Sequence, residues 1–459
     1  MTDLEYIFHP KSIAVVGASP NPFSPASFMF LNPLIQFGYE GAIYPIHPKA
    51  SEISGLKVYH SILDVPGPVD HVTCAIRADL TAQLMRECVA KGVKLIQLYT
   101  AGFSETGQEK GIRMEKEITE IARKGNVRVI GPNCLGMYCP ESKITYAPFF
   151  PKESGSVGFL CQSGGNTGDI IELGNIRGVR FSKVVSFGNA CDLNESDFIE
   201  HFTHDPKTKI IVSYIEGTKD GRRFAGALRE ATRVKPVIIL KGGVTEEGNK
   251  MAASHTGSLA GNYVIWDSLF RQSRVIQAHD MDEVAELASL FQHLKPPKGR
   301  KIGLVGSGGG YSVLITDSCR KEQLIIHPLP EEVRKRLRMI LPVEADPGTA
   351  VGNPVDVSYS GTNPDIFSAT LQTVVNYDEL DFVLIYINVI LVKQLDFLAE
   401  IKKNSDKPMA VVLGGTNSRE TKDYAFSLQE KFAQVGLPVF QSFDRATRAI
   451  NKFMRYYEG

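Results

Sequence analysis

The chain has no long uninterrupted hydrophobic run. Its best stretch, residues 382–392 (FVLIYINVILV), is broken by Asn388 and falls short of the roughly 18 apolar residues of a membrane span, so it reads as a buried strand. Residues 1–11 carry no apolar stretch behind a basic cluster, so no export signal and no membrane role are expected. Charge of one sign is also lacking: 51 basic side chains balance 51 acidic ones. Without a net positive charge there is no general electrostatic drive toward nucleic acid. The 7 cysteines form no CxxC pairs, which argues against a disulfide framework or a zinc knuckle and for a reduced, cytoplasmic protein. No metal site is expected, because His201 and His204 stand three apart with no third ligand nearby and read as a surface pair.

What the chain does have is 459 residues at 43% hydrophobic and 22% charged, the composition of a soluble globular protein of about three domains at roughly 150 residues each. Glycine, at 41 residues, is the informative count, because it clusters at the ends of apolar runs. Residues 12–19 (SIAVVGAS), 156–165 (SVGFLCQSGG) and 301–310 (KIGLVGSGGG) each read as a buried strand entering a Gly/Ser turn. They recur at even spacing. Pro/Gly/Lys-rich stretches at 147–155 (APFFPKESG) and 294–301 (LKPPKGRK) mark boundaries between them. Continuous runs such as 210–215, 237–240 and 382–387 are those of strands buried on both faces of a parallel sheet. The expected architecture is α/β, with three open parallel-sheet domains: a Rossmann-like domain over 1–150, then two flavodoxin-like domains over 151–295 and 296–459.

In such sheets ligands bind beyond the carboxyl ends of the strands, where glycine admits a phosphate to the backbone and a helix N-terminus supplies N–H donors. In the first domain Gly17, Ala18 and Ser19 follow the first strand, but the spacing is not GxGxxG. An NAD site needs an acidic residue at the end of the second strand, and here residues 42–49 (AIYPIHPK) end in Lys49. A lysine suits an extra ribose phosphate, as in NADP or coenzyme A. A third turn, GPNCLG at 131–136, follows the apolar run 127–130 and contains Asn133.

In the second domain His255 lies in AASHTGSLAG, residues 252–261, a run of small and hydroxyl residues suited to a loop with accessible N–H groups. A histidine there is a candidate nucleophile toward phosphorus, since a ring nitrogen of ordinary pKa near 6.5 is unprotonated at pH 7. It needs a partner on its other nitrogen, and Glu216, at the end of the apolar run 210–215, is a candidate. By residue type alone a bystander histidine stands as the alternative.

These segments carry a resemblance. The strand, the AIYPIHPK run and GPNCLG resemble the CoA-binding domain of the succinyl-CoA synthetase superfamily. Residues 181–197 (FSKVVSFGNACDLNESD), 214–217 (YIEG), 235–242 (KPVIILKG) and SHTGSLAG resemble, in order and spacing, the alpha subunit of ADP-forming acetyl-CoA synthetases, and the resemblance covers essentially the whole chain. It implies a three-step relay: acyl-CoA and phosphate give acyl phosphate and CoA, the phosphoryl group passes to a histidine, and the phosphohistidine phosphorylates ADP, a substrate-level phosphorylation. Carried over by motif, His255 is the phosphorylated residue and Glu216 its supporting carboxylate. Ser163, Gly164 and Gly165 bind the transferring phosphate, and Gly17, Ser19, Lys49 and Asn133 contact CoA. Many relatives read SQSGALG where this chain reads CQSGGNTG over 161–168, so Asn166 and Thr167 are expected to alter the acyl pocket.

A nucleotide site is missing. Residues 243–250 (GVTEEGNK) approach a Walker pattern, but Asn249 stands where lysine is required and Met251 follows. No ATP-grasp pair follows residue 296; that part, with GSGGGY at 306–311 and GNPVD at 352–356, resembles the ligase-CoA domain of the superfamily. The resemblance therefore implies one subunit of a split enzyme. ADP or ATP and Mg2+ are held by an ATP-grasp beta subunit, in an alpha2beta2 heterotetramer. Two other readings stand beside it. A CoA-binding regulatory module without catalysis needs neither Glu216 nor His255, and an NADP-dependent oxidoreductase needs fingerprint glycines that are absent.

Overall fold

The computed structural model describes residues 4–256, 262–306, 308–345, 350–390 and 395–458, with the side chains of 253–256 outside that description. The chain divides into two compact units, Met1–Asn175 with Arg180–Val284, and Ile176–Val179 with Ala285–Gly459.

The first unit contains two sheets. In one, five parallel strands, β1 (Ser12–Val16), β2 (Ala42–Ile46), β3 (His71–Cys74), β4 (Leu95–Leu98) and β5 (Arg128–Ile130), lie in the order β2-β1-β3-β4-β5. All of β1 is buried, which is why this stretch reads as a continuous apolar run; β3 is buried too, although it carries His71 and Thr73. The other sheet has six strands, β6 (Gly136–Tyr138), β7 (Val157–Cys161), β8 (Phe181–Ser186), β9 (Ile210–Ile215), β10 (Val237–Lys241) and β11 (Ile276–Ala278), in the order β11-β10-β9-β7-β8-β6. Five are parallel to their neighbours, while β6 runs antiparallel to β8 at the edge.

This antiparallel edge is not visible in the apolar pattern. The chain leaves β5 through GPNCLG and crosses to the second sheet well before residue 150. Gly136 makes the crossing with φ +77, and a Cβ there would lie 1.8 Å from the Gln97 side chain. That same side chain donates from Nε2 to the Leu135 carbonyl at 2.9 Å.

In the second unit β12 (Lys301–Gly306), β13 (Ile325–Ile326), β15 (Phe382–Asn388), β16 (Met409–Gly414) and β17 (Val439–Phe440) lie in the order β13-β12-β15-β16-β17, and the short β14 (Val355–Asp356) pairs with the end of β12. Its core is built around Phe367, Leu371, Val383, Ile385 and Phe432. GNPVD has a structural task here. Asn353 accepts from the Leu304 amide (2.9 Å) and donates to the carbonyls of Ile302 (2.8 Å) and His327 (2.7 Å), while Asp356 accepts from the amides of Gly308 and Ser358, both at 2.8 Å.

Leaving aside the antiparallel β6 and the two-residue β14, all three sheets share one order in chain sequence, second-first-third-fourth-fifth. In each, the strand order reverses beside the first strand, and a crevice opens there at the carboxyl ends, where ligands bind in open α/β sheets. Helix starts at these ends are set locally. Asn194 and Asp197 form a capping box for Glu195–His204, and Asp220 accepts from the amides of Arg222 and Arg223 to start Gly221–Val234.

The expected His201/His204 surface pair is corrected in part. His201 is buried, stacked on Phe8 at a centroid distance of 5.5 Å, because position 201 faces inward on its helix; only His204, paired with Glu230 at 3.1 Å, is exposed.

Candidate active site

A cleft of about 760 Å³ lies at the carboxyl ends of β3, β4 and β5, lined by Ile76, Arg77, Thr106, Lys110 and Asn133 among others. Asn133 reaches it from the left-handed region (φ +59), with its amide on the Thr100 carbonyl at 3.0 Å. Gly17 backs the cleft. Its φ is +97, and a Cβ would stand 2.7 Å from the carbonyl oxygen of Ala75, itself a lining residue, so glycine is required by packing. Ser19 and Lys49 lie on the turns after β1 and β2, outside the lining. Ser19 accepts from the Asn21 amide at 3.2 Å; exposed Lys49 and Ala50 direct their amides at His47 Nδ1, at 3.1 and 2.9 Å.

The volume falls within the roughly 300–1,000 Å³ of small-molecule and cofactor sites. The lining holds two cations, Arg77 and Lys110, against one carboxylate, Asp79, which Arg77 binds at 2.8 and 3.1 Å, a net positive charge that suits an anionic cofactor. Sequence reasoning missed Arg77, after β3, and Thr106 and Lys110, after β4 with Lys110 at the start of helix Glu109–Lys124, because two separate connections supply them and they belong to no motif.

A second constellation occupies the reversal point of the second sheet, between β7 and β9. Ser163 precedes helix Gly164–Ile176, and the space that a Cβ on Gly165 would fill is open. The first turn of this helix therefore presents its N-terminal end, with its partial positive charge, at the strand ends. Across the crevice, Glu216 follows β9 and is buried.

Three side chains hold Glu216 in place. Gln162 Oε1 accepts from the amides of Glu216 (2.5 Å) and Gly217 (3.0 Å); left unpaired at this depth, such groups cost about 1–3 kcal/mol each. The Tyr214 hydroxyl donates to Glu216 Oε1 at 3.0 Å. Burial first, and then the Glu216 charge, push the Tyr214 pKa up, so the phenol keeps the proton it donates. Lys241 Nζ donates to the Glu216 carbonyl at 2.8 Å. Gln162, Tyr214 and Lys241 were not singled out by sequence, although each sits inside or beside a motif that was. Cys161, beside the turn, is pushed up to about 12, chiefly by burial, so it is an unreactive thiol.

Helix Glu246–Thr256 carries His255 on its last turn. The His255 side chain and residues 257–261 lie outside the described residues. The helix packs against the turn Ser104–Thr106, and Thr106 lines the cleft. GVTEEGNK is the start of this helix: Thr245 Oγ1 accepts from the Gly248 amide at 3.0 Å and the Thr245 carbonyl from the Asn249 amide at 2.8 Å.

The same turn is tied to the second sheet. Asn189 Nδ2 donates to Glu105 (2.6 Å) and Glu115 (3.0 Å), and Lys219 Nζ donates to the Asn189 carbonyl at 2.7 Å. Gly188 packs against GPNCLG so closely that a Cβ would lie 2.3 Å from the Pro132 carbonyl oxygen. The FGNACD part of the sequence motif thus braces the two sheets of this unit.

Comparisons with known proteins cover both sheets of the first unit. A CoA binding domain model matches residues 11–140, and a succinyl-CoA ligase like flavodoxin domain model matches residues 154–291. The chain is 32% identical over 466 residues to the alpha subunit of acetate–CoA ligase [ADP-forming] I of Pyrococcus furiosus, covering 99% of this chain and 97% of that protein. The chain belongs to the ADP-forming acetate–CoA ligase family, as an alpha-type subunit.

Other members agree. The alpha subunit of form II from Pyrococcus furiosus is 38% identical over 364 residues, covering 79% of this chain and 78% of that protein. A Methanocaldococcus jannaschii acetate–CoA ligase [ADP-forming] is 39% identical over 357 residues, which are 77% of this ligase subunit and 49% of that longer protein. In three dimensions it matches the dinucleotide forming acetyl-coenzyme A synthetase 1 of Ca. Korarchaeum cryptofilum, solved in complex with phosphate and ADP, with a TM-score of 0.86, 29% identity and coverage of 100% and 97%. An alpha-type subunit implies a partner subunit. Among the described residues no helix is long and apolar enough to cross a membrane.

Proposed function

We propose that this chain is the alpha subunit of an ADP-forming acyl-CoA ligase, interconverting acyl-CoA, ADP and phosphate with a carboxylic acid, CoA and ATP. The observation that carries the reading is the buried Glu216, held by Gln162, Tyr214 and Lys241 opposite the helix that begins at Gly164. Similarity to ligases across the whole chain, beyond the CoA-binding part, favours this over a regulatory module.

In this reading a phosphate oxygen attacks the thioester carbonyl and CoA leaves as its thiol, giving acyl phosphate. Ser163, Gly164 and Gly165 hold the phosphoryl group at the helix N-terminus, where N–H donors match its charge. A ring nitrogen of His255 attacks phosphorus and the carboxylate departs. Glu216 accepts the hydrogen bond of the other ring nitrogen, which fixes the tautomer and stabilises the cationic phosphoimidazole. CoA occupies the first-sheet cleft, with Gly17, Ser19, Lys49 and Asn133 on or behind its approaches. Segments 1–150, 151–295 and 296–459 serve as CoA-binding, phosphohistidine and ligase-CoA domains.

Nucleotide and Mg2+ bind to an ATP-grasp beta subunit in an alpha2beta2 assembly, and the enzyme works in the cytoplasm. The expected result is that the purified chain alone binds CoA but forms no ATP from acetyl-CoA, ADP and phosphate, and gains that activity when the beta subunit is added. ATP formation by the single chain, followed by a coupled assay, refutes the split-enzyme reading.

A further inference from the structure

Among the described residues Lys241 is a buried cation without an ion pair. The residue is 4% exposed, and its Nζ donates to the carbonyls of Glu216 (2.8 Å) and of Gly242 and stands 4.9 Å from the ring centroid of Trp266, the only tryptophan in the chain. Two neutral carbonyls and an aromatic face thus surround an ammonium, and among the described residues no carboxylate touches it. Burying a charge in this way is costly unless the site uses it.

The placement shows what it does. β9 and β10 are parallel neighbours with Ile215 opposite Lys241, and the ladder ends with the Gly242 amide on the Ile215 carbonyl at 2.9 Å. Beyond that bond the Glu216 and Gly242 carbonyls have no place in the sheet. The Lys241 side chain folds over the ends of both strands and joins them. Gly242 has to be glycine for the same reason: a Cβ there would lie 2.5 Å from the Tyr214 hydroxyl and 3.3 Å from Glu216 Cγ.

We propose that Lys241 is a positioning residue of the phosphoryl relay, its ammonium clamping the Glu216 and Gly242 carbonyls so that the Glu216 carboxylate is held facing the phosphorylated histidine. This rests on the ligase reading above. The clamp is strong only with a protonated amine, since a neutral amine keeps two donors for the carbonyls but loses the charge that strengthens both bonds and the attraction to the Trp266 face. Burial lowers the Lys241 pKa to about 8, opposed by the Glu216 charge, the charged group among the described residues that acts on it. The other titratable groups of this crevice, Tyr214 and Cys161, are pushed up, well away from that range. The relay therefore weakens above about pH 8 as the clamp loses its proton.

The test uses the chain with its beta subunit and γ-labelled ATP, so that acid specificity plays no part. Lys241→Met is expected to slow labelling of the chain by about 10- to 100-fold, the size of effect that a small misplacement of a reacting group has. It should leave the Kd for CoA within about twofold and remove the fall in rate above pH 8; Lys241→Arg, charged throughout, should restore labelling and also lack the fall. Lys235→Met is the control. Lys235 makes the same kind of bond at the opposite end of β10, to the carbonyls of Phe202 (2.5 Å) and Asp205 (2.7 Å), and its pKa is also lowered to about 8, chiefly by burial. It should keep the parent profile. Parent-like labelling by Lys241→Met, a fall above pH 8 that survives in it, or loss of the fall in Lys235→Met overturns the proposal. No labelling of the parent chain at all overturns the ligase reading instead.

Discussion

Replacing His255 by alanine is expected to abolish acid-labile, base-stable incorporation of phosphate from γ-labelled ATP, a loss of about 10⁴-fold or more, as when the nucleophile of a covalent relay is removed. The family resemblance leads to this residue, which residue type alone leaves open as a bystander, and the structure adds its setting: the last turn of a helix packed on Ser104–Thr106. Binding of CoA to the His255→Ala chain should be unchanged, because the cleft is lined by residues of the first sheet and its turns. Phosphopeptide mapping is the second check. Equal labelling of parent and variant, or a label on another residue, removes His255 from the mechanism.

Glu216→Gln carries the next largest effect, a slowing of phosphorylation by about 10²–10³-fold, in the range for removing a group that assists proton placement and charge in a transition state. Glutamine preserves the shape of the side chain, and its amide oxygen still accepts from the Tyr214 hydroxyl. The backbone bonds to Gln162 and Lys241 persist too, since neither involves the carboxylate. What is lost is the negative charge beside a cationic phosphoimidazole. Single-turnover labelling separates this from binding, and titration calorimetry reports the Kd for CoA. Weakened CoA binding with a normal labelling rate places Glu216 outside the relay.

The two variants differ in what else they disturb. Alanine at 255 changes a residue near the end of a helix. Glutamine at 216 sits within a tightly bonded crevice, and Tyr214, held as a neutral phenol by burial, remains a donor at every pH where the enzyme works. A pH profile of Glu216→Gln should not keep the parent's fall above about pH 8, because the carboxylate that the Lys241 clamp positions is gone, and with it the charge that opposes the lowering of the Lys241 pKa.

The sequence by itself determined the elements and the kind of chemistry. Buried strands announce themselves as apolar runs because both faces of a parallel sheet are covered, and the Gly/Ser turns that end them are local in sequence. So β1, β7 and β12, the glycine at 17 and the turn at 163–165 were legible, as was their order in a family of ligases, whereas residues 252–256, expected as part of a loop, end the helix Glu246–Thr256. Only the tertiary structure decided which strand ends meet. Gln162 reaches Glu216 across 54 residues, Lys241 reaches it across 25, and Asn189 joins Glu105 across 84; no local pattern encodes such pairs. The same holds for β6, whose three residues pair with β8 rather than with the strand before them, and for a cleft that gathers Arg77, Lys110 and Asn133 from the segments that follow three different strands. Periodicity reports how one segment meets solvent and core, whereas a site at the reversal point of a sheet is made by segments that become neighbours only when the sheet forms.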